Sequence, residues 1–109
     1  MKPADLLVQK GMHRELAPYA GWLLDVLTAN GVRYTVTSVR RSRAQQEALY
    51  ERYLKGVNKY PVAVPGTSRH ELGLAMDVVM PSWAYAQLGQ LWVRMGGRWS
   101  PKDEIHFSV

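Results

Sequence analysis

Residues 66–77 read GTSRHELGLAMD and continue into the apolar segment 78–80, VVM. This stretch places His70 and Asp77 seven residues apart, with Gly73 between them. In a regular strand, residues seven apart point to opposite faces. The two side chains can therefore face one point only if the chain bends between them, and Gly73 is where a bend or bulge is easiest.

A second acidic and histidine-containing segment lies at the end of the chain, where residues 103–107 read DEIHF. The chain has three His and no Cys, so a metal site must use imidazole and carboxylate groups. His70, Asp77 and His106 form a candidate set of three zinc ligands, which leaves the fourth position of the ion for water. The same residue types also suit a structural hydrogen bond or a surface pair.

Two neighbouring acids, Asp103 and Glu104, are candidates for a general base acting on such a water. In a continuous strand, the side chains of Glu104 and His106 point to the same face and that of Asp103 points to the opposite face. This alternation favours Glu104 as the base, unless the strand begins after Glu104.

Hydrophobic periodicity and turn residues predict an α+β fold with a small antiparallel sheet and about three helices, in a single domain spanning residues 1–109. The predicted helices are 16–29, 43–55 and 82–95, and the predicted strands are 33–39, 74–80 and 105–109, with a short strand at 98–100. The predicted loop 57–67 is long for a small domain, and such loops are often functional.

Several helix details follow from the same patterns. Ser42 is the expected N-cap of helix 43–55, whose inner side is assigned to Ala48, Leu49 and Tyr53, with the aliphatic stem of Arg52. The expected buried residues of helix 82–95 are Trp83, Ala86, Leu88, Leu91, Trp92 and Met95. His13 is expected to be a solvated histidine near a helix start.

The formal charge of +5 and a pI near 9.7 favour anionic partners, either nucleic acid or an anionic cell wall polymer, although a merely soluble surface also explains them. Arg40, Arg41 and Arg43 cluster where a strand passes into a helix. Their guanidinium groups suit a carboxylate or phosphate, or else form a solvated basic corner. No segment is long enough to span a membrane, and residues 1–10 do not have the pattern of a signal peptide.

Four segments resemble one family. Residues 68–77 resemble the Ser-x-His-x-x-Gly-x-Ala-x-Asp signature of VanY-like D-alanyl-D-alanine carboxypeptidases and bacteriophage L-alanyl-D-glutamate endopeptidases. Residues 103–107 resemble the second motif of these enzymes, an acid-x-x-His followed by an aromatic residue. Arg41-Ser42 with Gln46 is similar to an Arg-Ser-x-x-x-Gln segment, and GGRW at residues 96–99 is similar to a Gly-Gly-x-Trp turn. Together the motifs cover residues 33–109.

The resemblance implies a zinc peptidase that cleaves peptides of the bacterial cell wall. One Zn²⁺ would be bound by His70, Asp77 and His106. The acid three residues before the last ligand, Asp103, would be the base, with Glu104 as the rival. Carboxypeptidase members usually have Glu at this position, so Asp103 favours an endopeptidase of the phage, endolysin-like type.

The resemblance also assigns substrate contacts, with Arg41 holding a carboxylate or polarising the scissile carbonyl. Ser68 and Gln46 are further expected substrate-binding residues. Arg40 stands where the family usually has an aromatic residue, so Arg40 and Arg41 both remain candidates for the cleft.

The expected partner is a peptidoglycan stem peptide, bound by a monomer that neither binds nucleic acid nor inserts into a membrane. The expected location is the host cytoplasm before release to the cell wall, or a virion. Three other functions remain open: a carboxypeptidase of the same fold, a non-catalytic domain that binds zinc or wall peptides, and a small nucleic-acid-binding domain that uses Arg40, Arg41 and Arg43.

Overall fold

A computed structural model describes residues 1–58 and 60–109 of the chain. The described residues form α-helices, short 3₁₀ helices and an antiparallel sheet, which confirms the predicted α+β class. The α-helices are α1 (Pro3–Gln9), α2 (Ala17–Ala29), α3 (Arg43–Leu54) and α4 (Tyr85–Arg94). The strands are β1 (Thr35–Ser38), β2 (Ala75–Val79) and β3 (His106–Ser108), and the 3₁₀ helices are Arg69–Leu72, Ser82–Ala84 and Pro101–Asp103.

The sheet has the order β1-β2-β3, with β2 in the centre and both pairings antiparallel. Asp77 on β2 lies opposite Ser38 of β1 and opposite His106 of β3. The register of β1 against β2 shifts between Val36 and Ser38. The predicted strand at 98–100 is reduced to an isolated bridge between Arg98 and Ser108.

The core lies between the sheet and the helices. Its most buried large apolar side chains come from α1, α2, β2 and β3, and they are Leu7, Leu23, Leu24, Met76, Val78 and Phe107. Helix α1 was not predicted, because only Leu7 of its seven residues is buried and so short a segment shows no periodicity. It packs closely on α2, since a Cβ added at Gly21 would lie 2.8 Å from the backbone nitrogen of Ala4.

Helix α3 begins as predicted but faces solvent more than expected. The Ser42 side chain accepts a hydrogen bond from the Gln45 backbone, and the Gln45 side chain accepts one from the Ser42 backbone, which forms a capping box. The buried residue of α3 is Gln46, whereas Ala48, Arg52 and Tyr53 are exposed and Leu49 is half-buried. The assignment of Ala48, Arg52 and Tyr53 to an inner side was therefore wrong, because α3 forms a wall of the cleft rather than packing on the core, and Leu49 is the residue of that set that lines the cleft.

The predicted helix at 82–95 divides into the 3₁₀ helix Ser82–Ala84 and α4. This break changes the phase of the residues, so Trp83 is 64% exposed and Ala86 is also exposed, contrary to prediction. Tyr85 and Trp92 are buried instead. The Tyr85 hydroxyl accepts a hydrogen bond from the Met80 backbone, and the Trp92 indole donates to the Ser108 carbonyl.

His13 is exposed, as expected. The loop 57–67 contains no helix or strand among its described residues, and Lys59 lies outside them. None of the helices in the described part of the chain combines the length and apolar character needed to cross a bilayer.

Candidate metal centre and its cleft

His70, Asp77 and His106 meet at one point. The Nε2 atom of His70 lies 3.0 Å from Asp77 Oδ1, and the Nδ1 atom of His106 lies 3.1 Å from the same oxygen. One potential ligand atom from each residue lies within 4.8 Å of the others. The sequence stretch 66–77 and the terminal segment 103–107 thus lie side by side in the fold.

The bend between His70 and Asp77 is the end of a helix rather than a bulge in a strand. His70 belongs to the 3₁₀ helix Arg69–Leu72, which is capped by the Ser68 hydroxyl accepting a hydrogen bond from the His70 backbone. Gly73 ends this helix with a φ of +71°, and a Cβ added there would lie 2.4 Å from the carbonyl oxygen of Gly11. Glycine is needed both for the left-handed backbone and for the close approach. The alternation of side chains along a strand therefore does not separate His70 from Asp77, because His70 is not in a strand.

The hydrogen bonds of His70 identify its tautomer. Its Nδ1 atom contacts the carbonyl oxygen of Val39, which can only accept, so Nδ1 carries the proton. In the neutral ring, Nε2 then holds a lone pair, and it faces the Asp77 carboxylate. Two acceptors at 3.0 Å require a positive charge between them, either a proton on Nε2 or a metal ion.

The donor set fits zinc. Two imidazole nitrogens and one carboxylate oxygen are ligand atoms that zinc accepts, and three protein ligands are the number found in catalytic zinc sites. The contact between His70 Nδ1 and a backbone carbonyl is also the arrangement that orients ligating histidines in metal sites.

Asp77 is ionised and divides its two oxygens between different partners. Burial alone would raise the pKa of Asp77, but hydrogen bonds with His106 and His70 outweigh burial and hold that pKa well below its usual range. While Oδ1 faces the two histidines, Oδ2 lies 2.7 Å from Nη2 of Arg41. The arginine therefore fixes the orientation of the carboxylate.

Arg41 lines the cleft, and its guanidinium group is hydrogen-bonded to the buried side chain of Gln46. Its Nη1 atom donates to Gln46 Oε1 at 3.1 Å, and Gln46 Nε2 donates to the Ala63 carbonyl at 2.9 Å. Gln46 is fully buried, so it contacts Arg41 and the loop rather than the open space of the cleft. Arg40 is exposed and borders different surface grooves. Of the two arginines, the structure places Arg41 on the cleft.

Asp103 and Glu104 are also separated by the structure. Strand β3 begins at His106 and Asp103 ends a 3₁₀ helix, so strand parity does not connect Glu104 with His106. Asp103 lines the cleft. Burial raises the pKa of Asp103, and the negative charge of Asp77 raises it further, although His106 acts in the opposite direction. Glu104 accepts a hydrogen bond from the Tyr60 hydroxyl at 3.4 Å.

The cleft has a volume of about 350 Å³ and two unlike sides. The cleft floor comprises residues 68–77 and β3. Ser68, His70 and Asp77 on this floor are buried, and His106 is half-buried. The outer wall comprises α3 and the described residues of loop 57–67, of which Tyr60, Val62 and Ala63 border the cleft. Residue types did not identify these three positions, because they carry no motif; only the length of the loop pointed to this region.

The chain belongs to the VanY family, described as D-alanyl-D-alanine carboxypeptidase, whose model matches residues 9–100. The match includes His70 and Asp77 and ends before Asp103 and His106. The positions of Asp103 and His106 at the site are therefore known from the structure and not from the family match. No curated protein matches the sequence.

Three solved structures are similar to this chain. A mutant of the vancomycin resistance D,D-pentapeptidase VanY from a VanB-type cassette, in complex with Zn(II), is 27% identical with a TM-score of 0.70, covering 89% of this chain and 71% of that one. The LD-carboxypeptidase LdcB is 25% identical with a TM-score of 0.62, covering 89% and 58%. The Serratia marcescens L-Ala D-Glu endopeptidase ChiX is 26% identical with a TM-score of 0.63, covering 99% and 86%. These neighbours differ in the bond they cleave, so the fold does not select among the bonds.

Proposed function

We propose that this chain is a zinc-dependent peptidase that hydrolyses peptide bonds in the stem peptides of bacterial peptidoglycan. The observation that carries the proposal is the facing pair of acceptors, His70 Nε2 and Asp77 Oδ1, with His106 beside them and Asp103 on the same cleft. Family membership and three neighbours that act on peptides support the reaction class. We also propose that residues 1–109 form one peptidase domain, since Leu7 of α1 shares the core of the sheet.

His70, Asp77 and His106 would hold the ion, the first through Nε2 and the last through Nδ1. A zinc ion bound there would act as a Lewis acid and would lower the pKa of a coordinated water to about 7. The contact of His70 with Val39 places the proton of the neutral ring on Nδ1 and leaves the Nε2 lone pair for the ion. The contact of Asp77 with Arg41 keeps the carboxylate turned towards the histidines.

Asp103 is proposed as the general base. It would accept a proton from the attacking water and deliver it to the nitrogen of the leaving amine. Its raised pKa, caused chiefly by burial, suits this exchange, because a carboxylate with a higher pKa accepts a proton more readily. Glu104 remains the alternative base, but its carboxylate is engaged by Tyr60.

Arg41 is proposed to bind the substrate carboxylate or to stabilise the oxyanion that forms from the scissile carbonyl. Its contacts with Asp77 and Gln46 use two of its five N–H donors, so donors remain for a substrate. We infer that Gln46 acts through Arg41 as a positioning residue, because its side chain is fully buried. Ser68 is proposed to position His70 by capping its 3₁₀ helix.

We propose an endopeptidase that cleaves between L-Ala and D-Glu, in the endolysin-like manner that Asp103 suggests. The extent of the similarity to ChiX supports this choice, since the alignment covers 99% of this chain and 86% of that enzyme. A D-alanyl-D-alanine carboxypeptidase is the second candidate, supported by the family description and by the TM-score of 0.70 to VanY.

A digest of purified peptidoglycan tests the function. The zinc-loaded protein is compared with a chelated sample and with a chelated sample to which zinc is restored, and the soluble products are identified by mass spectrometry. Peptides with a new D-Glu amino terminus support the endopeptidase, whereas release of single D-Ala supports the carboxypeptidase. Binding to the polymer without any product, in the presence of zinc, would contradict the enzymatic function and favour a non-catalytic domain.

A further inference from the structure

A second groove, of about 420 Å³, lies beside the cleft between the end of α1, the end of β1 and one side of α3. Four of its lining residues are basic: Lys10, Arg40, Arg41 and Arg52. None of the described residues that line it is acidic. Within the described part of the chain, Lys10, Arg40 and Arg52 form no ion pair, so their charges are not neutralised by the protein.

The groove adjoins the cleft. Arg41 and Leu49 line both spaces, so one arginine stands at their border. The Arg41 side chain reaches Asp77 on the cleft side, while Arg40 belongs only to the outer side. A peptide with its scissile bond near Asp77 would meet the basic groove on the far side of Arg41.

Backbone contacts hold two of the basic residues in place. The Arg40 backbone N–H donates to the Lys10 carbonyl at 3.3 Å, which ties the end of β1 to the end of α1. Gly11 has a φ of +95°, and a Cβ added there would lie 2.6 Å from Cβ of Arg40. The chain thus passes directly against the base of the Arg40 side chain, which fixes where that side chain starts.

We propose that this groove is a second subsite, which binds a carboxylate on an acidic peptide at a distance from the scissile bond. Guanidinium groups bind carboxylates through paired, charge-assisted hydrogen bonds, and Arg40 and Arg52 supply two such groups in one groove. The proposal rests on the proposed peptidase function, and it adds that substrate selection depends on a carboxylate outside the cleft.

The test uses two soluble wall peptides that differ only in whether the carboxylate distant from the cleaved bond is free or amidated. The variant is Arg40→Gln combined with Arg52→Gln. A charge-matched control combines Arg33→Gln with Arg94→Gln, two exposed residues that do not line this groove or the cleft. The measured quantity is the ratio of kcat/KM for the free-acid peptide to kcat/KM for the amidated peptide.

We expect this ratio to fall about fivefold in the Arg40→Gln/Arg52→Gln variant, because exposed ion pairs contribute modestly, and to stay unchanged in the control. An unchanged ratio in both variants, with cleavage intact, would overturn the subsite and leave the peptidase function standing. An equal fall in both variants would also overturn it, since the effect would then come from net charge alone.

Equilibrium binding separates failure of the subsite from failure of the function. The free-acid peptide is titrated into the protein, with inorganic phosphate and a short single-stranded DNA as competing probes in separate experiments. Binding that depends on Arg40 and Arg52 without any cleavage would support the subsite and overturn the peptidase. The concentration of each probe that displaces the bound peptide is compared with the concentration of unlabelled free-acid peptide that does so. If DNA or phosphate displaces the peptide at the lower concentration, the assignment of the groove to a peptide carboxylate is overturned.

Discussion

The cleft floor and the outer wall meet across one cleft, yet they are built in different ways. On the floor, His70 and Asp77 are 2% and 8% exposed, and their polar atoms contact Val39, Arg41 and His106. On the outer wall, Leu54 is 66% exposed and Val57 is 68% exposed. The polar side chains of the floor are therefore fixed by buried contacts, whereas these side chains of the outer wall are exposed to solvent.

Hydrogen bonds among the described residues connect the two sides. Gln46 on α3 accepts from Arg41 and donates to the Ala63 carbonyl in the loop, and the Gly66 backbone N–H in the loop donates to the Glu71 carboxylate on the floor. We propose that the reaction depends on the floor and that the choice of peptide depends on the wall.

Substitution of the proposed base should have the largest effect. Asp103→Asn should reduce kcat by about 10²–10⁴-fold, the range that general base catalysis contributes. Glu104→Gln is the matched control, and we expect it to change kcat by less than about fivefold, because its carboxylate contacts Tyr60. Steady-state kinetics on a soluble wall peptide measure both. A larger loss in Glu104→Gln than in Asp103→Asn would make Glu104 the base.

The bend in the floor should be sensitive to a single methyl group. Gly73 and Gly31 both have a φ of +71°, but only Gly73 would bring an added Cβ against a backbone oxygen. Gly31→Ala should lower the free energy of unfolding by about 1 kcal/mol. Gly73→Ala should cost about 1–3 kcal/mol more because of the clash with Gly11. Denaturant unfolding measures the difference, and equal losses in the two variants would show that the floor tolerates the added group.

The link between floor and wall should have a moderate effect. Gln46→Ala removes both side-chain hydrogen bonds and leaves Arg41 and the Ala63 carbonyl without this partner, which should cost about 1–3 kcal/mol of stability. Because Arg41 loses the hydrogen bond that orients it, kcat/KM should also fall by about tenfold, as when a residue that orients an active-site group is removed. Kinetics at a temperature where the variant is fully folded separate the two effects. Unchanged kinetics there would show that Gln46 supports only the fold.

An ion pair on the outer wall should matter least. Arg43 and Glu47 lie 3.4 Å apart with most of both side chains exposed, and such pairs contribute less than about 0.5 kcal/mol. Glu47→Ala should therefore leave unfolding and kcat nearly unchanged. A loss of activity comparable to that of Gln46→Ala would mean that the outer face of α3 takes part in the site.

The same contrast explains which features were visible in the sequence. Residues 66–77 and 103–107 identified the floor because metal and acid–base chemistry restrict the residue types that can be used. Ser42, with Gln45, marked the start of α3 through local capping. These features depend on residue type and on neighbours in the sequence, so they can be predicted without knowledge of the fold.

Features that depend on tertiary contacts were missed or misassigned. Helix α1 buries only Leu7 and therefore leaves no periodic pattern, and the exposed position of Trp83 follows from a 3₁₀ turn that shifts the phase of the helix. Gly73 was identified as a bend, but its close approach to Gly11 involves a residue 62 positions earlier in the chain. The length of loop 57–67 predicted a functional loop, while the position of its residues beside the cleft depends on how α3 is placed.

Zinc titration of the purified, chelated protein by calorimetry tests whether His70, Asp77 and His106 bind a metal ion. The wild type should bind one zinc ion per chain, and His106→Ala should lose this binding, because His106 would supply one of the three proposed ligand atoms. His13→Ala is the matched control, since His13 is an exposed histidine outside the cleft, and it should bind zinc as the wild type does. Absence of zinc binding in the wild type, or undiminished binding by His106→Ala, would contradict the assignment of the His70–Asp77–His106 cluster as a metal centre.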